Sequence, residues 1–248
     1  MIKITNIEKT FVRDKIKIQA VKPLTFELEE GDVLSLVGES GSGKTTLSRI
    51  LSGLLPPDNG KVSINGLDVY AVKDRRELYK NMQLVMQNSA FALNPMMTIY
   101  ECIAEPLRNI LKLSKSEIDQ RVEELLEQIE LPKEILTRKP RQLSGGQQKR
   151  VCIARAIGVR PKFIVFDEAV TGLDVVIKKQ IMELLVKLQK EENLTYLFIS
   201  HDLEIALYLA NKIFVMKEGE IVERVNYKGN VNCFEHEYSK QLVRISLK

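Results

Sequence analysis

No apolar run in this 248-residue chain approaches the ~18 residues that a membrane-spanning helix needs. The opening Met1-Ile2-Lys3-Ile4 alternates like a strand, unlike the charged and apolar blocks of a secretory signal. The expectation is a protein of the cytosol that meets a membrane only through a partner. Cysteine is scarce: Cys102, Cys152 and Cys233 are widely spaced, odd in number and without a CxxC pair, which excludes a disulfide framework and a zinc site and predicts reduced thiols. Neither sign of charge dominates, since 37 Lys and Arg face 33 Asp and Glu for a net charge of +4, too even a field to argue for nucleic acid. The basic pairs Arg138-Lys139, Lys149-Arg150 and Lys178-Lys179 lie in helix-type sequence and read as solvated helix faces. Repeats, low-complexity tracts and Pro/Gly/Ser-rich linkers are all missing, and 44% hydrophobic residues suffice for one sizeable core.

What is present is concentrated in a few short segments. Residues 38–46 read Gly38-Glu39-Ser40-Gly41-Ser42-Gly43-Lys44-Thr45-Thr46, after the apolar run Val33 to Val37 and before a helix-type segment. A loop that wraps a polyphosphate needs glycines to turn sharply and to bring bare N–H groups close to anionic oxygens. A helix starting near Lys44 adds its positive dipole end. In this pattern Lys44 reaches the β- and γ-phosphates and the Thr45 hydroxyl serves Mg²⁺.

The N-terminal third alternates strand signals with turns, at Ile2 to Ile4, Leu24 to Leu28, Val33 to Val37 and Lys61 to Ile64, and predicts a small, partly antiparallel sheet around that loop. From about 88 to 160 the period becomes helical, with Ile118, Val122, Leu125, Leu126 and Ile129 on one face. Two buried-strand candidates follow, Phe163 to Phe166 and Tyr196 to Ile199, flanking a helix that carries Ile177, Ile181, Leu184, Leu185 and Leu188, which implies a parallel βαβ unit. Ile213 to Met216, the turn Glu218-Gly219 and Ile221-Val222 read as a hairpin. The chain is therefore expected to be one domain in three lobes: about 1–87 with the phosphate loop, about 88–160 helical, and about 161–248 the second half of the core with a short tail.

Asp167-Glu168 stands at the carboxyl end of a buried strand, where ligands gather in an open α/β sheet. Alone the pair could cap a turn; beside a phosphate loop, Asp167 suits the Mg²⁺ shell and Glu168 the attacking water. His201 follows the next apolar strand into the same crevice and suits a γ-phosphate or water contact, whereas His236 in the tail reads as surface. Leu143-Ser144-Gly145-Gly146-Gln147 precedes a helix. On its own Ser144 would be an N-cap, yet a hydroxyl, two glycines and a dipole end also make a second anion site.

Leu-Ser-Gly-Gly-Gln is the signature of the ATP-binding cassette (ABC) ATPases, and the chain resembles that family from end to end. The resemblance implies an α/β fold, a P-loop NTPase with a RecA-like core, an antiparallel β subdomain and an inserted helical signature subdomain. It implies that Phe11 stacks on adenine, although a core phenylalanine fits there too. It further implies that 38–46 bind ATP, that Gln87 senses Mg²⁺ and the membrane partner, and that Asp167 and Glu168 are metal carboxylate and catalytic base. Asp174, in Thr171-Gly172-Leu173-Asp174, would lie in a loop crossing the dimer interface, and His201 would be the switch histidine. In this family the signature of one copy closes over ATP held by another, so Leu143 to Gln147 would act on a partner's nucleotide.

Ser144 follows Lys44 by 100 positions, without the long coiled-coil insertion of chromosome-maintenance relatives, and only one set of motifs is present, unlike most translation-factor relatives. Asn88-Ser89-Ala90-Phe91-Ala92-Leu93-Asn94-Pro95 is similar to the Leu-Asn-Pro stretch of the nickel and peptide importer class, at the place where a membrane subunit docks. Arg150-Val151-Cys152, Asp167 to Val170 and the short tail look more like a nickel-type second ATPase than a dipeptide one. Thr171-Gly172 departs from the Ser-Ala pair usual in the class, and Gly172 would loosen communication across the dimer. The expectation is the ATP- and Mg²⁺-using subunit of a bacterial importer, peripheral on the cytoplasmic face of the membrane. Its expected partners are a second ATPase subunit, a heterodimer being favoured over a homodimer, integral-membrane permease subunits and, indirectly, an extracytoplasmic binding protein. The alternative is a soluble cassette acting on nucleic acid or ribosomes.

Overall fold

The computed structural model describes residues 1–246, so the last two residues of the predicted third lobe lie outside it. Among the described residues β1 (Ile2–Arg13), β2 (Ile16–Leu28), β4 (Asn59–Ile64) and β5 (Leu67–Asp68) form an antiparallel sheet in the order β2-β1-β4-β5, and β3 (Val33–Val37), β6 (Met82–Met86), β7 (Phe163–Asp167), β8 (Thr195–Ser200), β9 (Lys212–Lys217) and β10 (Glu220–Asn226) form a second in the order β10-β9-β3-β8-β7-β6. In the larger sheet β3 (Val33–Val37), β7 (Phe163–Asp167) and β8 (Thr195–Ser200) are buried along nearly their whole length. Strands covered on both faces read as continuous apolar runs, which is why their sequences stand out. The pairs β6–β7, β7–β8, β3–β8 and β3–β9 are parallel, and only β10 (Glu220–Asn226) runs antiparallel, as the second arm of the predicted hairpin with β9 (Lys212–Lys217).

Alternation along β3 assigns each face its own core. Val33 and Val37 join Phe166, Tyr196 and Phe198 in a cluster that continues into the helical segment. Leu34 and Leu36 join Val165, Leu197 and Ile199 in a second cluster against Ile2, Ile4, Leu28 and Val62 of the small sheet. In the first, Phe166 and Phe198 stack at 4.5 Å with Tyr196 edge-on to both. The helical segment comprises α3 (Ser89–Ala92), α4 (Ile99–Asn109), α5 (Lys115–Gln128) and α6 (Gly145–Gly158). Thr98, Ser114 and Ser144 each open a helix with a reciprocal capping box to the residue three positions on, the local reason these helices start where they do. The remaining helices are α1 (Lys44–Leu51), α2 (Arg75–Asn81), α7 (Val175–Glu192), α8 (Leu203–Leu209) and α9 (Glu237–Ser246).

Three expectations are corrected. Val33–Val37 is an inner strand of the larger, mostly parallel sheet and not part of the small antiparallel one. The short strands at Ile2 and Leu24 belong to a long hairpin, β1 (Ile2–Arg13) with β2 (Ile16–Leu28). Its tip, Asp14-Lys15, turns with φ of 50° and 65° and no glycine, so the usual hairpin signal is missing. β6 (Met82–Met86) adds an edge strand, and the small sheet is completed by β4 (Asn59–Ile64) and β5 (Leu67–Asp68).

Candidate active site

The register of the parallel strands brings the separate motifs to one edge. Met86 pairs with Asp167, Asp167 with Ile199, and Ser200 with Val37. One step further along these chains lie Gln87, Glu168, His201 and Gly38, all at the carboxyl ends of parallel strands.

Between β3 and α1 the loop turns through Gly38, Gly41 and Gly43, with φ of 155°, 84° and 106°. A Cβ on Gly38 would fall 2.1 Å from the Met216 carbonyl oxygen, and one on Gly43 equally close to that of Ala20, so these two glycines are demanded by close backbone approach as well as by dihedral. Lys44 is buried in the cradle, where its ammonium donates to the carbonyl oxygens of Gly38 and Glu39 at 2.7 Å each and to Ser42 Oγ at 3.2 Å. Burial lowers its pKa, and the charges of Glu168, Asp167 and Glu39 pull it back up. Ser40 and Thr45 are exposed at the loop, and Thr46 is half-buried in the first turn of α1.

Burial also pushes the Asp167 carboxyl up, and the neighbouring Glu168 adds to this while Arg49 and Lys44 oppose it. The half-buried Asp167, Gln87 one residue beyond the Met86 that pairs with it, and the exposed Thr45 next to Lys44 offer oxygen donors of the kind a hard divalent cation takes, so these residues fit Mg²⁺. Glu168 adopts φ of 48°, held by its N–H to the Ile199 carbonyl at 2.9 Å, and its Oε1 lies 3.5 Å from His201 Nδ1. Such a left-handed non-glycine residue at a strand end marks a position fixed by its surroundings.

Ser144 is the N-cap of α6: its hydroxyl accepts from the Gln147 N–H at 3.3 Å, and the Gln147 side chain accepts from the Ser144 N–H at 3.0 Å. Ser144 and Gly145 are exposed and a Cβ on Gly145 would meet nothing, whereas one on Gly146 would fall 2.8 Å from Ile177 Cγ2 on α7. The signature therefore lies against the start of α7, where Asp174 is itself an N-cap accepting from the Ile177 N–H at 3.0 Å. Gly172 has φ of 78° with open space around it, a conformation that suits glycine and strains other residues. Leu143 is buried beneath the turn. Phe11 is 40% exposed, and it pairs with Ile18, two residues along β2 from the Ala20 that touches Gly43. That places it roughly 8 Å from Ala20 by strand geometry, open to solvent and not in the core.

The pair Lys149-Arg150 is not a solvated face. Lys149 is 2% exposed and its ammonium donates to the carbonyl oxygens of Met86 and Gln87 at 2.8 and 2.9 Å, tying the backbone of the Gln87 loop to the signature helix. Arg150 bonds the Ile129 carbonyl and Glu130, and Lys178 pairs with Asp202; Arg138, Lys139 and Lys179 are exposed as expected. The only hint in the sequence is that Lys149 falls one helical turn before buried Cys152. All three cysteines are free.

With no carboxylate acting on it, burial brings the Lys149 pKa down to about 8. Below that value both folded and unfolded chains carry the proton and the desolvation cost is present in full. As pH rises from about 8 towards the ordinary value of 10.5 the folded chain sheds the proton first, so this site's contribution to stability increases. Urea unfolding of wild type and Lys149→Gln on either side of pH 8 should therefore show the wild type gaining on the variant with rising pH, by up to about 3 kcal/mol. A pH-independent difference would contradict the burial argument.

A protein-family model described as "ABC transporter" matches residues 21–171 of this chain. The chain belongs to the ABC transporter family. Its cassette is 41% identical over 248 residues to the oligopeptide transport ATP-binding protein OppF of Bacillus subtilis, covering 98% of this chain and 81% of that one. It is 39% identical over 222 residues to the nickel import ATP-binding protein NikE of Brucella abortus, covering 88% and 83%. Among solved structures it resembles a dimeric ATP-binding cassette in a post-hydrolysis state bound to ADP and Pi, with a TM-score of 0.80, 32% identity and coverage of 93% and 100%. It also resembles cbiO1 of Clostridium perfringens, part of the transporter complex cbiONQ, with a TM-score of 0.81, 26% identity and coverage of 99% and 92%. The predicted α/β P-loop NTPase fold and ATPase class are thus those of its family, and the nucleic-acid alternative is set aside.

Proposed function

We propose that this chain is the ATP-hydrolysing subunit of an importer of the nickel and oligopeptide class, bound peripherally to the cytoplasmic face of the membrane. It would pair with a second, different ATPase subunit and dock on integral-membrane subunits fed by an extracytoplasmic binding protein. The observation that carries this reading is the convergence of Gly38, Gln87, Glu168 and His201 on one sheet edge, in a chain similar to importer ATPases over nearly its full length. The reaction is attack of water on the γ-phosphate. Lys44 and the loop amides neutralise charge on the phosphates, Glu168 accepts the proton of the water, and His201 beside it orients both. Asp167, Thr45 and Gln87 would hold Mg²⁺, which when bound would neutralise charge on the phosphates. Phe11 offers its exposed face to adenine. Ser144 and Gly145, exposed with Asp174 and the outward Val175 and Val176, offer a face to the partner's nucleotide.

Support for the membrane partner comes from a second place. A cleft of about 290 Å³ runs between β6 and the helices α4 and α6, lined by Leu54, Tyr79, Met86 and Arg155 among others. Leu54, Tyr79 and Met86 are exposed there, and Phe91 beyond Gln87 is 85% exposed. Apolar surface of this kind, one residue run from the catalytic edge, suits a short helix of a membrane subunit. Phe91→Asp is expected to leave the ATP affinity of the isolated chain unchanged and to reduce its co-purification with co-expressed membrane subunits at least about tenfold. Undiminished co-purification would remove the Phe91 surface beside this cleft as the docking site.

A further inference from the structure

The phosphate loop is held from outside as well as from within. Gly219, in the turn between β9 and β10, donates its N–H to the Ser42 carbonyl at 2.9 Å. The Glu39 N–H donates to the Tyr238 hydroxyl oxygen at 3.0 Å, across 199 positions of sequence. Tyr238 lies in the first turn of α9, 7% exposed, with the Lys217 ammonium 4.9 Å from its ring centroid. Its own N–H donates to His236 Nδ1 at 3.1 Å. Upstream, the Glu223 carboxylate of β10 accepts the N–H groups of Glu235 and His236 at 2.6 and 3.2 Å. His236, which sequence alone assigns to the surface, thus caps the helix that presents Tyr238.

The Glu39 peptide is gripped at both ends. Its carbonyl accepts from the Lys44 ammonium at 2.7 Å and from the Ser42 N–H at 3.2 Å, and its N–H is held by Tyr238. These grips differ in kind. The Lys44 ammonium is the group assigned to phosphate, so its bond to Glu39 competes with nucleotide, whereas the Tyr238 hydroxyl is supplied from α9, outside the loop. A loop with three glycines at positive φ has much conformational freedom to lose on binding a polyphosphate. A fixed point at its first shoulder removes part of that loss beforehand.

We infer that Tyr238 is a positioning residue for ATP, and that through its hydroxyl the C-terminal helix α9 sets the nucleotide affinity of the phosphate loop. This rests on the reading of residues 38–46 as an ATP site. The bond lies away from Glu168 and His201, so its effect belongs in binding and not in the chemical step. Loss of one neutral hydrogen bond of this kind corresponds to an affinity about three- to tenfold weaker.

Tyr238→Phe in the full chain keeps the ring and its contact with Lys217 and removes only the hydroxyl. Calorimetric titration with ATP and Mg²⁺, steady-state kinetics and thermal unfolding are to be compared with wild type. Expected are a Kd and a KM for ATP about three- to tenfold higher, kcat at saturating ATP within about twofold, and a melting midpoint lowered by no more than about 4 °C. An unchanged Kd, a change confined to kcat, or a fall in the melting midpoint larger than that overturns the inference and leaves the ATPase reading intact. Failure of the wild-type chain to bind ATP would overturn the underlying reading itself.

Discussion

Glu168→Gln is expected to lower ATP turnover by a factor of about 10² to 10⁴, the range lost when a general base is removed, while ATP binding persists. Glutamine keeps the shape of the side chain, and the strained φ of 48° and the N–H bond to Ile199 do not depend on its charge. It can hold a water but cannot take its proton. His201, whose Nδ1 lies 3.5 Å from Oε1, would keep its place and lose its charged neighbour. Because binding survives while hydrolysis stops, the variant should accumulate as an ATP-bound dimer, visible by size-exclusion chromatography with bound nucleotide measured in the dimer fraction. Turnover at the wild-type rate would place the base elsewhere.

Lys44→Ala is expected to fail at an earlier step. The ammonium sits within the loop, bonded to Gly38, Glu39 and Ser42. Alanine leaves the two carbonyl oxygens without their charged donor and aims oxygens where phosphate oxygens should arrive, so both attraction and loop order are lost. Turnover should fall about 10²- to 10³-fold, the magnitude seen when one preorganised charge-stabilising group is deleted, and here Kd for ATP should rise in step. Equilibrium binding and kcat/KM measured on Lys44→Ala beside Glu168→Gln separate the two roles. If both variants bound ATP like wild type, the assignment of the cradle to phosphate would be wrong.

Much of the candidate site is legible in the sequence because its parts are local. Buried parallel strands are continuously apolar, the groups that matter follow them immediately, and the loop needs glycine at Gly38, Gly41 and Gly43 for reasons of backbone geometry. The βαβ unit of β7, α7 and β8 and the C-terminal hairpin announce themselves in the same way. Features that depend on distant partners were not legible. The β1–β2 hairpin turns without glycine, and β6 is an edge strand interrupted by Gln83. A buried Lys149 looks like any surface lysine of a basic helix until the carbonyls of Met86 and Gln87 are placed above it. The Tyr238 bond spans almost the whole chain, and no local pattern encodes it.

Under the proposed function the catalytic site is completed by other subunits. The most direct measurement is the ATPase rate of this chain alone and after co-expression with its membrane and second ATPase subunits, with Glu168→Gln in the same assembly as the zero. Activity that is low alone and rises at least tenfold in the assembly, by the electrostatic contribution expected of Ser144 and the signature amides, is the predicted result. High activity independent of partners, or none in any assembly, would contradict it.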